Sequence, residues 1–212
     1  LISFFIGERS SFIRLFFSII VFTFIVINLH FLKKILLFSV LISFIVVFLS
    51  LNQTYKYRYI DQFKKIYSKD GISFFLKETT YGKHYEVALK IFKEYPLFGV
   101  GIKNFRLESF NKKYQPDDTW TGGSTHPHQI HYEFLSETGI FGYFCFLVFI
   151  FGSLYISIKT YIKNKNLYQL SGILFVISTL IPLLPTGSFL TTFFSSIFWL
   201  NYALMVSFSK KE

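Results

Sequence analysis

Cysteine and methionine each occur once in the 212 residues, and proline only five times. The single cysteine, Cys145, sits inside an apolar run; it allows no intrachain disulfide and leaves the redox compartment open. The one methionine is Met205. The chain therefore opens without an initiator and reads as the C-terminal part of a longer membrane protein, with residues 1–6 as the tail of a further span. The first apolar stretch has no basic n-region and no small-residue cleavage site, so a signal peptide is not expected. Runs 35–51, 140–158, 167–185 and 188–208 hold no Asp, Glu, Lys, Arg or His. Proton- or ion-coupled transport needs such groups within the spans. A transporter or flippase-like protein of lipid-linked saccharides is therefore the runner-up reading.

What the chain has in abundance is apolar and aromatic surface. Hydrophobic residues make up 52% of it and aromatic residues 22%, including 30 Phe, and the mean hydropathy is +0.45. Five apolar runs, about 12–30, 35–51, 140–158, 167–185 and 188–208, approach the ~20 residues that cross a bilayer as helix. The expected fold class is an all-α polytopic membrane protein. It has about five transmembrane helices plus a stub and one large, partly helical outer loop. The expected organisation is 1–51 for the stub and two spans, 52–130 for the loop, and 131–212 for a motif-bearing helix and three spans.

Short basic segments set the orientation. Lys33 and Lys34, then Lys159, Lys163 and Lys165, then Lys210 and Lys211 mark the cytoplasmic side by the positive-inside rule. Alternation places Gly7–Ser11, the long loop and the uncharged turn 185–188 on the opposite face. The loop's own 13 Lys/Arg and 8 Asp/Glu do not overturn this, because long loops cross largely regardless of charge. The net charge of +10 is explained by these flanks and by the basic residues that dot the long loop. No basic run accompanies a nucleic-acid motif, so nucleic acid is not an expected partner.

Within the loop, apolar positions 84, 87, 88, 91, 92 and 95 follow amphipathic-helix spacing, and Pro96 ends the pattern. Leu97-Phe98-Gly99-Val100-Gly101 then reads as a tight turn whose glycines permit positive φ or close backbone approach. Residues 111–125 are polar and read as an irregular approach to a histidine cluster.

Between His126 and Glu137 the chain packs three histidines, His126, His128 and His131, with Glu133 and Glu137, directly before the run 140–158. Titratable groups are costly at a membrane boundary, so such a cluster marks a functional site. Pro127 suits the first turn of a helix, with Thr125 or His126 near its cap. That start puts His128, His131, Tyr132 and Leu135 on one face and Glu133 and Glu137 on another. The free N–H groups at the helix start favour an anion such as phosphate. The histidines suit general-base catalysis, since imidazole titrates near neutral pH. They equally suit metal binding in a metal-dependent hydrolase, although the spacing is not H-E-x-x-H, or plain hydrogen bonding to loop backbone. The glutamates read as helix-start residues favoured by the dipole. Arg9, at the outer end of a span, is either an interfacial anchor or a phosphate clamp. Lys83, Lys103 and Arg106 are further loop cations open to the same phosphate role.

Three sequence words carry a resemblance. His128-Gln129, nine residues, then Gly139-Ile140-Phe141-Gly142 fit H-[N/S/Q]-x9-G-x-x-G. Pro96-Leu97-Phe98-Gly99-Val100-Gly101 fits P-L-x-G-V-G, and Gly7-Glu8-Arg9-Ser10 fits G-[S/E]-R-[S/T/G]. In this order the chain resembles, over residues 7–208, the C-terminal half of the O-antigen ligase and polymerase family and of related bacterial O-oligosaccharyltransferases. The resemblance implies a glycosyltransferase of lipopolysaccharide and polysaccharide biosynthesis in the bacterial inner membrane, with its active site on the periplasmic side. The donor is an undecaprenyl-diphosphate-linked glycan, and the acceptor is lipid A core, a lipid-linked repeat or a protein hydroxyl. No metal or cofactor is implied. By position His128 is the base and Arg9 neutralises the leaving diphosphate. The residues themselves add His126, His131, Lys83 and Arg106 as expected substrate contacts. Relatives often carry Arg near the start of the loop's amphipathic helix, where this chain has Lys83 and His84. Lys is a point charge without the guanidinium fork.

Overall fold

The computed structural model describes residues 9–61, 64, 71–116 and 122–207. The expected stub at 1–6, together with Gly7, Glu8, Lys210 and Lys211, lies outside the described residues. All regular structure among the described residues is helical. The chain divides into two compact units, Leu1–Phe75 and Leu76–Glu212.

In the first unit α1 (Arg9–Val26) and α2 (Phe31–Leu51) are both long and apolar enough to cross a membrane. The break falls at 27–30, earlier than the expected 31–34. Lys33 and Lys34 belong to α2, since Lys is a good helix former and interrupts nothing. Lys34 Nζ reaches back to the Phe24 carbonyl at 2.8 Å, and Phe24 stacks on Phe38 at 5.8 Å. Most of α2 stays exposed, as a lipid-facing helix must. A short helix α3 (Gln53–Lys56) runs into a π turn at Tyr57–Asp61. Helix α4 (Gly71–Glu78) comes next in the chain.

In the second unit α5 (Thr80–Glu94) is the expected amphipathic helix. Thr79 caps it by accepting the Gly82 N–H at 3.0 Å, and it ends before Pro96. Its buried face, Val87, Ala88 and Ile91, packs with Phe105 of the single-turn α6 (Phe105–Glu108) and with Tyr114. Val100 and Tyr132 close this small core. Residues 79–114 of the long loop therefore form a folded cap.

Helix α7 (Ile130–Asn164) is the third element long enough to span. Gly139, at φ 65° and ψ −168°, kinks it and separates a short cap-facing arm from the apolar run. The shorter apolar helices α8 (Leu167–Thr179) and α9 (Thr192–Ser207) pack closely on each other. A Cβ on Gly172 would lie 2.5 Å from the Asn201 carbonyl oxygen.

The apolar run 167–185 is helical only as far as Thr179. Pro182 and Pro185 remove backbone donors and push Ile181 and Leu184 away from helical geometry. Leu183 turns to φ 64°. Residues 180–191 therefore leave the helix and must find other partners for their backbone. They find them at the start of α7.

Candidate active site

Gln129, not Pro127, begins the motif helix. Its backbone is extended, at φ −158° and ψ 130°. Its Oε1 accepts the amides of His131 at 2.7 Å and Tyr132 at 3.3 Å. Any side-chain acceptor that reaches these orphan donors can cap a helix, and Gln is an uncommon choice. Pro127 is thus buried in the preceding loop, and His128 lies outside the helix. The expected common face of His128 with His131 does not form.

His128 instead adopts a left-handed backbone, φ 60°, held by the Thr186 N–H on its carbonyl at 2.7 Å. Its half-buried ring lies 4.1 Å from that of His126, 5.0 Å from His84 and 5.6 Å from Tyr81, centroid to centroid. Ser124 organises this group. Its hydroxyl donates to the His126 carbonyl at 2.8 Å, and the same oxygen lies 3.2 Å from His128 Nε2. Ser124 is fixed in turn by the buried Ser109 hydroxyl, which accepts its N–H and donates to its carbonyl. Burial lowers the pKa of all three rings. His84 is held at about 4 by burial and then by His128, and His126 at about 4 by burial and then by His128 and His84. His128 is lowered by burial. The uncharged imidazole is therefore the resting form at neutral pH. Among the described residues no three His, Cys, Asp or Glu side chains are grouped to hold a metal ion.

His131 serves a different purpose. The Leu180 carbonyl can only accept, so His131 Nε2 carries a hydrogen toward it at 2.8 Å. The neutral ring then accepts the Tyr143 hydroxyl at Nδ1, 3.0 Å away. Both nitrogens are engaged within the protein.

Glu133 lies in the first turn of α7, as expected of a helix-start residue, whereas Glu137 lies a turn further on; both are buried. They are 1% and 2% exposed. A buried carboxylate needs donors, and each finds them on a different loop. Glu133 takes the Ser188 hydroxyl, the Phe189 amide at 2.7 Å and the Leu190 amide at 3.4 Å. Glu137 takes the Lys103 and Phe105 amides. The turn 185–188, expected as a bare connection, is thus part of the site. Phe189 fixes it further by packing among Phe134, Phe146 and Phe198. The sequence signal for this was the pair of uncharged polar residues, Thr186 and Ser188, that follow Pro185 in the turn between two apolar runs.

Of the other expected contacts, Lys83 is half-buried on α5 next to His84, and Arg106 is exposed on α6. The structure brings His84, named beside Lys83 as a candidate, into ring contact with His128. Arg9 opens α1 in the other unit.

These features describe a helical membrane protein whose folded loop and kinked helix enclose a neutral histidine. The family model for O-antigen ligase matches residues 1–147, so the chain belongs to the O-antigen ligase family. Membership supports a glycosyltransferase-like membrane function in lipid-linked glycan processing. No curated protein and no solved structure matches the chain.

Proposed function

We propose that the protein transfers a glycan from an undecaprenyl-diphosphate carrier to an acceptor hydroxyl at the periplasmic face of the inner membrane. The reaction is metal-independent and inverting, and His128 is the base. The acceptor is lipid A core, a lipid-linked repeat or a protein hydroxyl. The observation that carries the reading is the Ser124–His128 contact. The serine hydrogen is committed to the His126 carbonyl, so His128 Nε2 is the ring's N–H and Nδ1 carries the lone pair. A neutral, positioned imidazole suits the removal of a hydroxyl proton as the oxygen attacks the anomeric carbon. Arg9 holds the diphosphate as it leaves, since its fork matches phosphate oxygens and stabilises charge that develops in the transition state. Lys83, Arg106 and His126 are further substrate contacts. His131, with both nitrogens committed, acts by shaping the site.

The test is complementation of a surface-polysaccharide defect by the full-length protein. Asn tolerates left-handed backbone, so His128→Asn removes the base with little strain. Loss of glycan with His128→Asn and with Arg9→Ala, at normal protein levels, is the expected result. Wild-type glycan from either variant would sink the mechanism. Single capped repeats in the deletion strain would identify a polymerase, and unattached polymer a ligase.

A further inference from the structure

We propose that the cleft beside Gln129 is a subsite for one neutral sugar ring. This rests on the transferase reading for which saccharide arrives there. The cleft is open, holds about 220 Å³ and is lined by Gln129, His131, Tyr132, Tyr143, Pro182 and Leu183. That is below the roughly 300–1,000 Å³ of pockets that enclose drug-sized ligands, a scale suited to a single ring.

Its polar groups specify the ligand. Gln129 is 1% exposed, and its Nε2 is buried without a partner. Its Oε1 is committed to the amides of His131 and Tyr132, so the amide orientation is fixed and Nε2 is the end left without a partner. A buried donor left unpaired is costly, and an incoming oxygen relieves it. Across the cleft, the Leu180 carbonyl fixes the hydrogen on His131 Nε2, and Nδ1 then takes the Tyr143 hydrogen. The Tyr143 oxygen is left as an acceptor. One fixed donor and one fixed acceptor match hydroxyls, which both accept and donate. They do not match a phosphodiester, which only accepts at neutral pH, and no Lys or Arg lines the cleft. The rings of Tyr132 and Tyr143 with Pro182 and Leu183 offer the apolar surface that the C–H face of a pyranose covers.

The experiment uses full-length protein in lipid nanodiscs, with saturation-transfer NMR against methyl glycosides of the common hexoses, hexosamines and 6-deoxyhexoses. Pyrophosphate is the anionic comparison. At least one glycoside should bind saturably to the parent and to His128→Asn. Gln129→Glu keeps a capping oxygen and loses the donor, and Tyr143→Phe loses the acceptor. Each should weaken that glycoside about tenfold, the scale of one hydrogen bond. Binding of no glycoside to the parent overturns the proposal. So does equal binding to both variants, or displacement of the glycoside by pyrophosphate. If His128→Asn transfers glycan normally while Gln129→Glu still loses glycoside, the base assignment fails and the subsite stands.

Discussion

Gly99 and Gly139 lie where two backbones meet, and a side chain on either would strike the backbone just before the other. A Cβ on Gly139 would lie 2.5 Å from the Phe98 nitrogen and closer still to the Leu97 carbonyl; one on Gly99 would lie 2.5 Å from the Thr138 nitrogen. Both have left-handed backbone, at φ 65° and 67°. Around them the amides of Val100 and Gly101 donate to Ser136 and Glu137, and Ile140 and Phe141 donate to Pro96 and Leu97. The kink in α7 frees carbonyls and amides, and the loop takes them up. Two sequence words, the P-L-x-G-V-G turn and the first glycine of G-x-x-G, are the two sides of one contact.

Gly139→Ala and Gly99→Ala should therefore each destabilise the cap strongly. Overpacking typically costs about 1–3 kcal/mol, and left-handed backbone at a non-glycine adds about 1–2. Gly152, later in α7, has nothing within 4 Å of an added Cβ, and Gly152→Ala should be neutral or slightly stabilising. Thermal melting of the three variants in detergent checks this. Equal melting temperatures would show that the loop does not depend on the close approach.

The sequence made α5 and this turn readable because both depend on local rules: helical spacing with a proline stop, and glycine where backbones meet. The start of α7 was misread for a matching reason. Pro127 carries a strong statistical signal for a helix start, whereas Gln129 caps through a reach that only the folded loop selects. The segment 180–191 was hidden more deeply. Its composition is that of a membrane span, and its partners, His128, His131 and Glu133, lie roughly fifty residues earlier in the chain. The burial of both glutamates depends on those distant amides, which no local pattern announces.

Glu133 should behave as a positioning residue. It holds Ser188, Phe189 and Leu190, and the same segment supplies the Thr186 amide to His128. Glu133→Ala leaves those donors buried and unpaired, at about 1–3 kcal/mol each. Activity should fall sharply through turnover, with donor affinity retained. Ser188→Ala removes one of the three donors and should cost less. Glu133→Asp, which keeps both carboxyl oxygens, should recover more activity than Glu133→Gln, which keeps one. If Gln and Asp were equivalent, the carboxylate would not be what holds the segment.

Ser124→Ala should uncouple tautomer from position. Without the serine oxygen, His128 Nε2 loses the acceptor that fixes its hydrogen. The ring stays between His84 and His126, so substrate binding should change little while turnover falls about tenfold, the scale of one lost hydrogen bond. Imidazole 15N shifts read the tautomer directly. A mixture of the two neutral forms in Ser124→Ala and a single form in the parent is the expected result.

Acid should act on the site twice. For catalysis, burial holds His128 below the ordinary histidine pKa of about 6.5, so the free base is present at pH 7 and activity should fall only on acidification below that value. For stability, the folded cap holds His84 and His126 at about 4 while the unfolded chain binds protons near 6.5. The unfolded state thus binds more protons between those limits. The stability from keeping the rings neutral is complete above about pH 6.5 and is lost as pH falls toward 4. Hydrogen exchange at residues 122–128 should rise across this window and recover on neutralisation. His84→Phe removes one titrating ring without leaving a hole, so its acid dependence of exchange should be shallower. The acid limb of its activity, set by His128, should remain. A variant that lost the activity limb along with the exchange limb would show that unfolding of the cap, and not protonation of the base, limits the reaction in acid.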